Sequence, residues 1–352
     1  MLQKILVGMS GGVDSSMAVT LLQEQGYDVS GVTLRLCAET GEVPEKLLQA
    51  ERDAADTAAR LHIPHCVWDY SEHFRSTVVN DFAAVYVAGK TPNPCIVCNR
   101  CVKFGKMLDD ALEAGYDGIA TGHYVRSEWD EQRGRWLLKK AADPARDQTY
   151  VLYMLTQHQL AHTLFPLGKY LKPDLRKQAE ERGFVNAQRP DSQDICFVPD
   201  GDYLGFLQNR FGVQCRAGNY IDEQGTVLGT HRGVEAYTIG QRKGLGVAFG
   251  EPRFVIAKNA ADNTVTLGRS EALFSKQLIA ENANWIAVDA LREPMRVSVR
   301  TRYHQTETAA TVEPYGENGF RVLFDEAVRA VTPGQAVVLY QDDVVVGGGT
   351  II

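Results

Sequence analysis

Apolar and polar positions alternate between two rhythms in the first part of the chain. Ile5, Leu6 and Val7 form a short continuous run. It breaks at Met9-Ser10-Gly11-Gly12-Val13-Asp14-Ser15-Ser16, after which Met17, Ala18, Leu21 and Leu22 recur at helical spacing up to Gly26. The pattern predicts a buried strand, a glycine turn and a helix. Residues 29–36 alternate through Val32, Leu34 and Leu36 as a second strand. Residues 45–61 put Leu47, Ala54, Ala58 and Leu61 on one helical stripe, and Pro64 precedes a strand-like run at 65–68. Phe74, Val78, Phe82 and Val85 phase a helix ending at Gly89, residues 102–114 phase another, and 118–122 read as a further strand. This alternation predicts an α/β fold with a doubly wound parallel sheet, whose ligands lie at the C-terminal strand ends, where Gly8, Leu34 and Gly122 fall.

Later the rhythm changes. From about Cys215, short β-type runs at 253–256, 264–267 and 297–300 predict two small β-rich domains, with a junction near 270–276. Residues 129–140 read as a hairpin turning at Gln132-Arg133-Gly134, with Arg133, Arg135, Lys139 and Lys140 gathered on it. A solvated hairpin and an RNA-facing one both fit that charge. Lys169, Lys172, Arg176 and Lys177 gather on a helix with Pro173 in its first turn, and there too phosphate contact and solvation both fit.

The length of 352 residues suits two or three domains. A net charge of −7 excludes a protein coated in positive charge, so any nucleic acid must meet a local basic face. No apolar run approaches the roughly 20 residues of a membrane span, and the N-terminus enters a strand without a signal-peptide core, so a cytoplasmic protein is expected. Seven cysteines, an odd number, do not suggest a disulfide framework.

Two stretches carry chemistry. The turn at 10–16 sits at a helix N-terminus, where unpaired N–H groups, two glycines and the hydroxyls of Ser10, Ser15 and Ser16 suit a phosphate. It lacks the lysine of a Walker loop. The second stretch, Asn93-Pro94-Cys95-Ile96-Val97-Cys98-Asn99-Arg100-Cys101, sets three thiols at C-x2-C-x2-C spacing in a segment whose prolines argue against regular helix, with Arg100, Lys103 and Lys106 nearby to favour thiolate. Cys196 follows the polar run Asp191-Ser192-Gln193-Asp194. Structural zinc wants a second ligand pair, and no other C-x2-C or H-x3-H appears. Inert core is the ordinary reading of a lone cysteine and is assigned to Cys37, Cys66 and Cys215. A redox or sulfur-carrying pair is the third reading.

The S-G-G-V-D-S string resembles the loop of the PP-loop, or N-type, ATP pyrophosphatases. With the N-P-x-x-x-C-N segment, Cys196, Thr121-Gly122-His123-Tyr124, Asp147-Gln148-Thr149-Tyr150 and the string from Tyr237 to Gly246, the chain is similar over nearly its whole length to the MnmA family of tRNA-specific 2-thiouridylases. The resemblance implies a PP-loop ATP-binding catalytic domain at 1–200, with tRNA-contacting helices about 148–185. It also implies a central β-rich domain at 201–275 and a C-terminal tRNA-binding barrel of six strands at 276–352. It further implies ATP-dependent, Mg2+-supported replacement of O2 of wobble uridine U34 by sulfur in tRNAs for lysine, glutamate and glutamine, with sulfur from a cysteine desulfurase or relay protein. Matching positions assign Gly8, Met9, Ser10, Gly11, Gly12, Val13, Asp14, Ser15, Leu34 and Gly122 to ATP. Asn93, Pro94, Cys95, Arg146, Asp147, Gln148, Arg302 and Tyr303 are assigned to tRNA, Cys98 to the nucleophile and Cys196 to the sulfur-accepting cysteine, the pair ending as a disulfide.

Cys95 departs from the aspartate common at that position, so no acid–base role transfers. Cys95, Cys98 and Cys196 would also make three thiolate ligands, as in related thiolases that hold an iron-sulfur cluster, and the persulfide and cluster routes both stay open. Rival readings are a PP-loop enzyme adenylating a small molecule, which needs no thiol pair, and a non-catalytic zinc-bearing RNA-binding protein.

Overall fold

The computed structural model of the chain describes residues 3–37, 43–184, 186–187, 195–198, 200–247 and 250–352. The polar run 191–194 ahead of Cys196 lies outside them. A five-stranded, wholly parallel sheet has the order β3 (His65–Asp69), β2 (Asp28–Arg35), β1 (Lys4–Gly8), β4 (Gly118–Ala120) and the short strand Thr163–Leu164. β1 is central, and Ile5, Leu6 and Val7 are fully buried because helices cover both faces. Alternate side chains serve opposite cores. Ile5 and Val7 join α1 (Val13–Glu24), Ala54 and Ala58 of α2 (Glu45–Arg60), and Leu175. Leu6 joins Phe74, Val78, Val102 and Leu108 of the helices on the other side.

That second core crosses into the C-terminal domain, since Ile286, Ala336, Val338, Tyr340 and Val345 belong to it. The domain is a closed barrel of six antiparallel strands, sealed where Phe274–Trp285 pairs with Val344–Ile351. The hairpin forms as predicted, Val125–Asp130 against Arg135–Lys140, but Lys139 pairs with Val344 and so extends the barrel sheet. Its cations are spent within the protein: Arg133 meets Asp130, Arg135 meets Asp289, Lys139 meets Glu128 and Lys140 meets Glu307. Between the two larger units, four strands pack around Tyr220, Val255, Val265 and Leu267. No helix among the described residues is long and apolar enough to cross a membrane.

Two local expectations are corrected. The thiol segment is helical: a helix starts at Pro94 (Pro94–Cys98), continues through wide π turns over Asn99–Lys106 and ends in Met107–Glu113. Proline at the first helical position has no N–H to leave unpaired, and its fixed φ suits the start. Arg296, Arg300 and Arg302 have the period-two spacing of one strand face, but the strand Met295–Arg300 stops before Arg302, which lies in the following turn.

The two large units are also tied by charge. The buried Asp147 carboxylate accepts from Arg300 Nη1 at 3.0 Å and Thr149 Oγ1 at 2.7 Å. Removing one partner of a buried pair costs about 3–5 kcal/mol, so Asp147→Ala should lower the thermal midpoint by roughly 5–10 °C. An unchanged midpoint with weakened tRNA binding would make Asp147 an RNA contact instead.

Candidate active site

β1 ends at Gly8, and the chain turns through 9–12 into α1. Gly11 has φ +72°, and a Cβ there would stand 2.8 Å from the Ala50 carbonyl oxygen, so conformation and space both demand glycine. Gly12 caps α1 with no side-chain hydrogen bond, leaving the first-turn amides pointed at the crevice. Gly122, just past β4, comes so close that a Cβ would lie 3.0 Å from the Ser15 nitrogen. Met9 and Val13 are buried in the core, so what they offer a nucleotide is backbone. Leu34 is half-buried at the end of β2.

The three serines divide. Ser10 is exposed. Ser15 Oγ accepts from the Ser10 N–H at 3.2 Å and donates to the Gly12 carbonyl at 3.0 Å. Ser16 is fully buried and also donates to the Gly12 carbonyl, at 3.1 Å. The expectation that all three hydroxyls face an anion therefore fails for Ser15 and Ser16, whose hydroxyls both donate back to the Gly12 carbonyl.

Three residues absent from the sequence reading of the cradle complete it. Lys172 Nζ lies 2.9 Å from Asp14 Oδ2, and the Tyr124 hydroxyl donates to Asp14 Oδ1 at 2.8 Å. Asn186 Nδ2 donates to the Gly11 carbonyl at 3.0 Å, and its Oδ1 is buried without a hydrogen-bond partner. Lys172 is 4% exposed, which removes it from the surface cluster with Lys169, Arg176 and Lys177. A buried ammonium needs a charge partner, and this one stands 158 positions away, where no periodicity reveals it.

Cys95 and Cys98 lie one turn apart on the helix from Pro94, the first exposed and the second buried. Burial pushes the Cys98 thiol up to about 11, opposed by the Lys103 ammonium, with the sulfurs of Cys196 and Cys95 also felt there. Cys196 thus enters the same site, anchored by Phe197, which packs edge-on against Phe74 and Phe82. A hydrogen bond from the Cys37 thiol draws Cys196 down to about 7, against burial and with help from Lys103. Near neutral pH Cys196 is partly thiolate while Cys98 is a thiol. Cys37, assigned by sequence to inert core, is therefore a member of the site, and Cys66 is exposed rather than buried. Lys103 is the cation acting on Cys95, Cys98 and Cys196, whereas Lys106 is held by Asp110.

The barrel holds the entry to the thiol helix. Gln335 Nε2 donates to the carbonyls of Thr91 and Pro92 at 3.0 and 3.2 Å, and the Thr91 N–H donates to the Pro333 carbonyl at 2.9 Å, which positions Asn93 and Pro94. Tyr303 packs edge-on to Tyr150, near enough to Cys95 to feel its charge. Of the 146–148 triplet, Arg146 is exposed, Asp147 is the interior tie already described, and Gln148 Oε1 accepts from the Tyr124 N–H at 2.8 Å. Arg302 donates to the Ala330 carbonyl at 2.8 Å, and burial together with the like charge of Arg329 holds its pKa down. A Cβ on Gly240, where the loop 240–246 begins, would lie 3.9 Å from both guanidinium groups.

A phosphate cradle at the switch point of a doubly wound sheet, in one domain with thiols gathered from separate segments, suits a PP-loop enzyme that couples nucleotide cleavage to sulfur chemistry. Three family models match: the tRNA methyl transferase HUP domain at residues 3–200, the tRNA methyl transferase PRC-barrel domain at 205–269 and the aminomethyltransferase beta-barrel domain at 275–351. The tRNA-specific 2-thiouridylase MnmA of Clostridioides difficile is 47% identical over 99% of this chain and 98% of its own length. That of Acetivibrio thermocellus is 46% identical over 99% of both. Among solved structures, the U34-tRNA thiolase NcsA from Methanococcus maripaludis with its [4Fe-4S] cluster is 16% identical at TM-score 0.35, covering 59% of this chain and 66% of that one, too slight a likeness to carry argument. The chain belongs to the MnmA family of tRNA-specific 2-thiouridylases.

The geometry of the cradle assigns Lys172 a charge role. Lys172→Met preserves the stem and removes the ammonium, and it should weaken ATP-dependent pyrophosphate release by about tenfold or more while tRNA binding at fixed salt is retained. Unchanged release would show that Lys172 serves only to hold Asp14.

Proposed function

We propose that this chain is a tRNA-uridine 2-sulfurtransferase that uses ATP to convert the wobble uridine U34 of tRNAs for lysine, glutamate and glutamine to 2-thiouridine. The observation that carries the reading is a glycine-turn cradle at the N-terminus of α1 together with two thiols, Cys98 and Cys196, brought from distant segments close enough to feel one another's charge. The cradle amides and Lys172 receive the phosphates, and Asn93, Pro94 and Cys95 face the pyrimidine. Oxygen at C2 is a poor leaving group, so its attack on the α-phosphorus, with departure of pyrophosphate, turns it into part of AMP. The terminal sulfur of a Cys196 persulfide then attacks C2, and AMP departs. The Cys98 thiolate attacks the Cys196 sulfur, which frees the thiocarbonyl and leaves a Cys98–Cys196 disulfide.

Asp14 is the carboxylate of the cradle, and it already serves Lys172 and Tyr124, so a magnesium ion would be held chiefly by the phosphates and water. For an iron-sulfur cluster the donors do not fit as arranged. Among the described residues no group of three thiol, imidazole or carboxylate side chains is set to hold a metal ion, and Cys196 is turned toward Cys37. No step is routed through one. The same absence weighs against a zinc-bearing RNA binder, and a small-molecule adenylating enzyme would leave the thiols unexplained. Exposure of Cys196 and its lowered pKa suit sulfur delivery by a cysteine desulfurase or relay protein.

Mass spectrometry of tRNA incubated with ATP, the protein and a persulfide donor should show sulfur gained at U34, abolished by Cys98→Ser. Pyrophosphate release without RNA would favour the small-molecule reading. Because Cys98 ionises at about 11, its thiolate fraction, and with it the rate of sulfur transfer, should rise about tenfold per pH unit above neutrality. Lys103→Gln removes the charge that favours the thiolate and should depress the rate at pH 8 with recovery at higher pH. A flat profile would remove Cys98 ionisation from the rate.

A further inference from the structure

Two glycines side by side, Gly11 and Gly12, leave the peptide between them free to turn unless something outside the loop holds it. Gly11 is buried, and Asn186 Nδ2 donates to its carbonyl at 3.0 Å from 175 positions away along the chain. The same nitrogen donates to Ser16 Oγ at 3.2 Å. Ser16 spends its own proton on the Gly12 carbonyl, so both groups facing the amide are acceptors and only its NH2 end fits there. The other end, Oδ1, is buried without a partner. A leucine would fill the same space without that cost.

In a planar trans peptide the carbonyl and the following N–H point in opposite directions. Holding the Gly11 carbonyl inward therefore turns the Gly12 N–H outward, where it has no hydrogen-bond partner among the described residues. The Met9 carbonyl is held in a similar way, by Thr33 Oγ1 at 2.9 Å, but the Ser10 N–H opposite it is taken by Ser15 Oγ. Of these two peptides, only the one held by Asn186 presents an unused donor.

We propose that Asn186 is a positioning residue for nucleotide binding: it fixes the Gly11–Gly12 peptide so that the Gly12 N–H is aimed at a phosphate oxygen of ATP before the nucleotide arrives. This inference rests on the use of ATP proposed above and not on the route by which sulfur moves. Without the amide, the buried Gly11 carbonyl satisfies itself by turning toward water, and the peptide that turns carries the Gly12 N–H away from the phosphates. A donor aimed in advance needs no reorganisation when charge is bound, and hydrogen bonds to charged oxygens are the strong ones.

The test is equilibrium binding of ATP and of adenosine, which lacks the phosphates, in the absence of tRNA. Asn186→Leu should weaken ATP by about tenfold and leave adenosine unchanged. Asn186→Asp keeps the shape, and its carboxyl can donate when protonated but not when ionised. Its ATP affinity should therefore climb above that of Asn186→Leu as pH falls from about 8 to about 5, whereas relief of charge repulsion alone would stop at the leucine level. Asn186→Ala serves as the reference if the leucine variant does not fold. Full ATP affinity in Asn186→Leu, equal losses for ATP and adenosine, or an Asn186→Asp affinity that never passes the reference would each overturn the inference. Wild type that binds ATP with this dependence on Asn186 yet adds no sulfur to U34 would remove the proposed function and leave the role of Asn186 standing. Wild type that does not bind ATP would overturn both.

Discussion

Covering β1 on both faces is the constraint from which the site follows. Leu6 points into the core built by the thiol-bearing helices, while Ile5 and Val7 point into the core built by α1 and α2. A strand buried this way has no polar side, and its end at Gly8 is the one place where both helical layers open onto the same crevice. Nucleotide chemistry comes from one layer and sulfur chemistry from the other. Neither layer can shift without moving a fully buried strand, and close-packed interiors resist such shifts.

Ionisation then separates the two reacting sulfurs by role. Cys98 is buried where the neutral thiol is favoured, so it stays inert until Lys103 and alkaline pressure ionise it. Cys196 receives a hydrogen bond in its charged form and so ionises at lower pH. On the proposed persulfide route, that difference would have the exposed thiolate loaded first and the buried thiol act last. Aspartate at position 95 would put a permanent negative charge beside Cys98 and oppose its ionisation. Cys95 opposes it too, but only in its thiolate form, which its own raised pKa makes scarce.

Much of this arrangement is legible in the sequence because it is local. The strand, glycine turn and helix at 4–24, the alternation of β2 and the stripe of α2 are written in periodicity, and the paired thiols in spacing. What escapes is set by distant contacts. Lys172 looks like one cation in a surface cluster until its Asp14 partner is seen, and Cys37 looks like filler until Cys196 reaches it. Pro92 and Pro94 mislead for another reason: a pattern rule that proline breaks helices does not say which proline will be the first residue of one. The cations of the hairpin at 125–140 mislead in the opposite direction, since carboxylates from remote strands absorb them.

In a chain of net charge −7, two guanidinium groups held together, Arg302 and Arg329, are costly unless an anion is brought to them, and Gly240 lies beside both. Arg302 is gripped by the Ala330 carbonyl and precedes Tyr303, whose ring lies near Cys95. A phosphate drawn to the arginines would therefore set an adjoining base beside an aromatic ring and a thiol, the arrangement by which unpaired RNA bases are read. Because Pro333, on the barrel loop just beyond Arg329 and Ala330, accepts from Thr91 at the entry to the thiol helix, an anion seated there is linked through a short stretch of backbone to the position of Cys98. On the proposed function, binding of the RNA backbone and alignment of the sulfur chemistry would thus be properties of one continuous piece of structure.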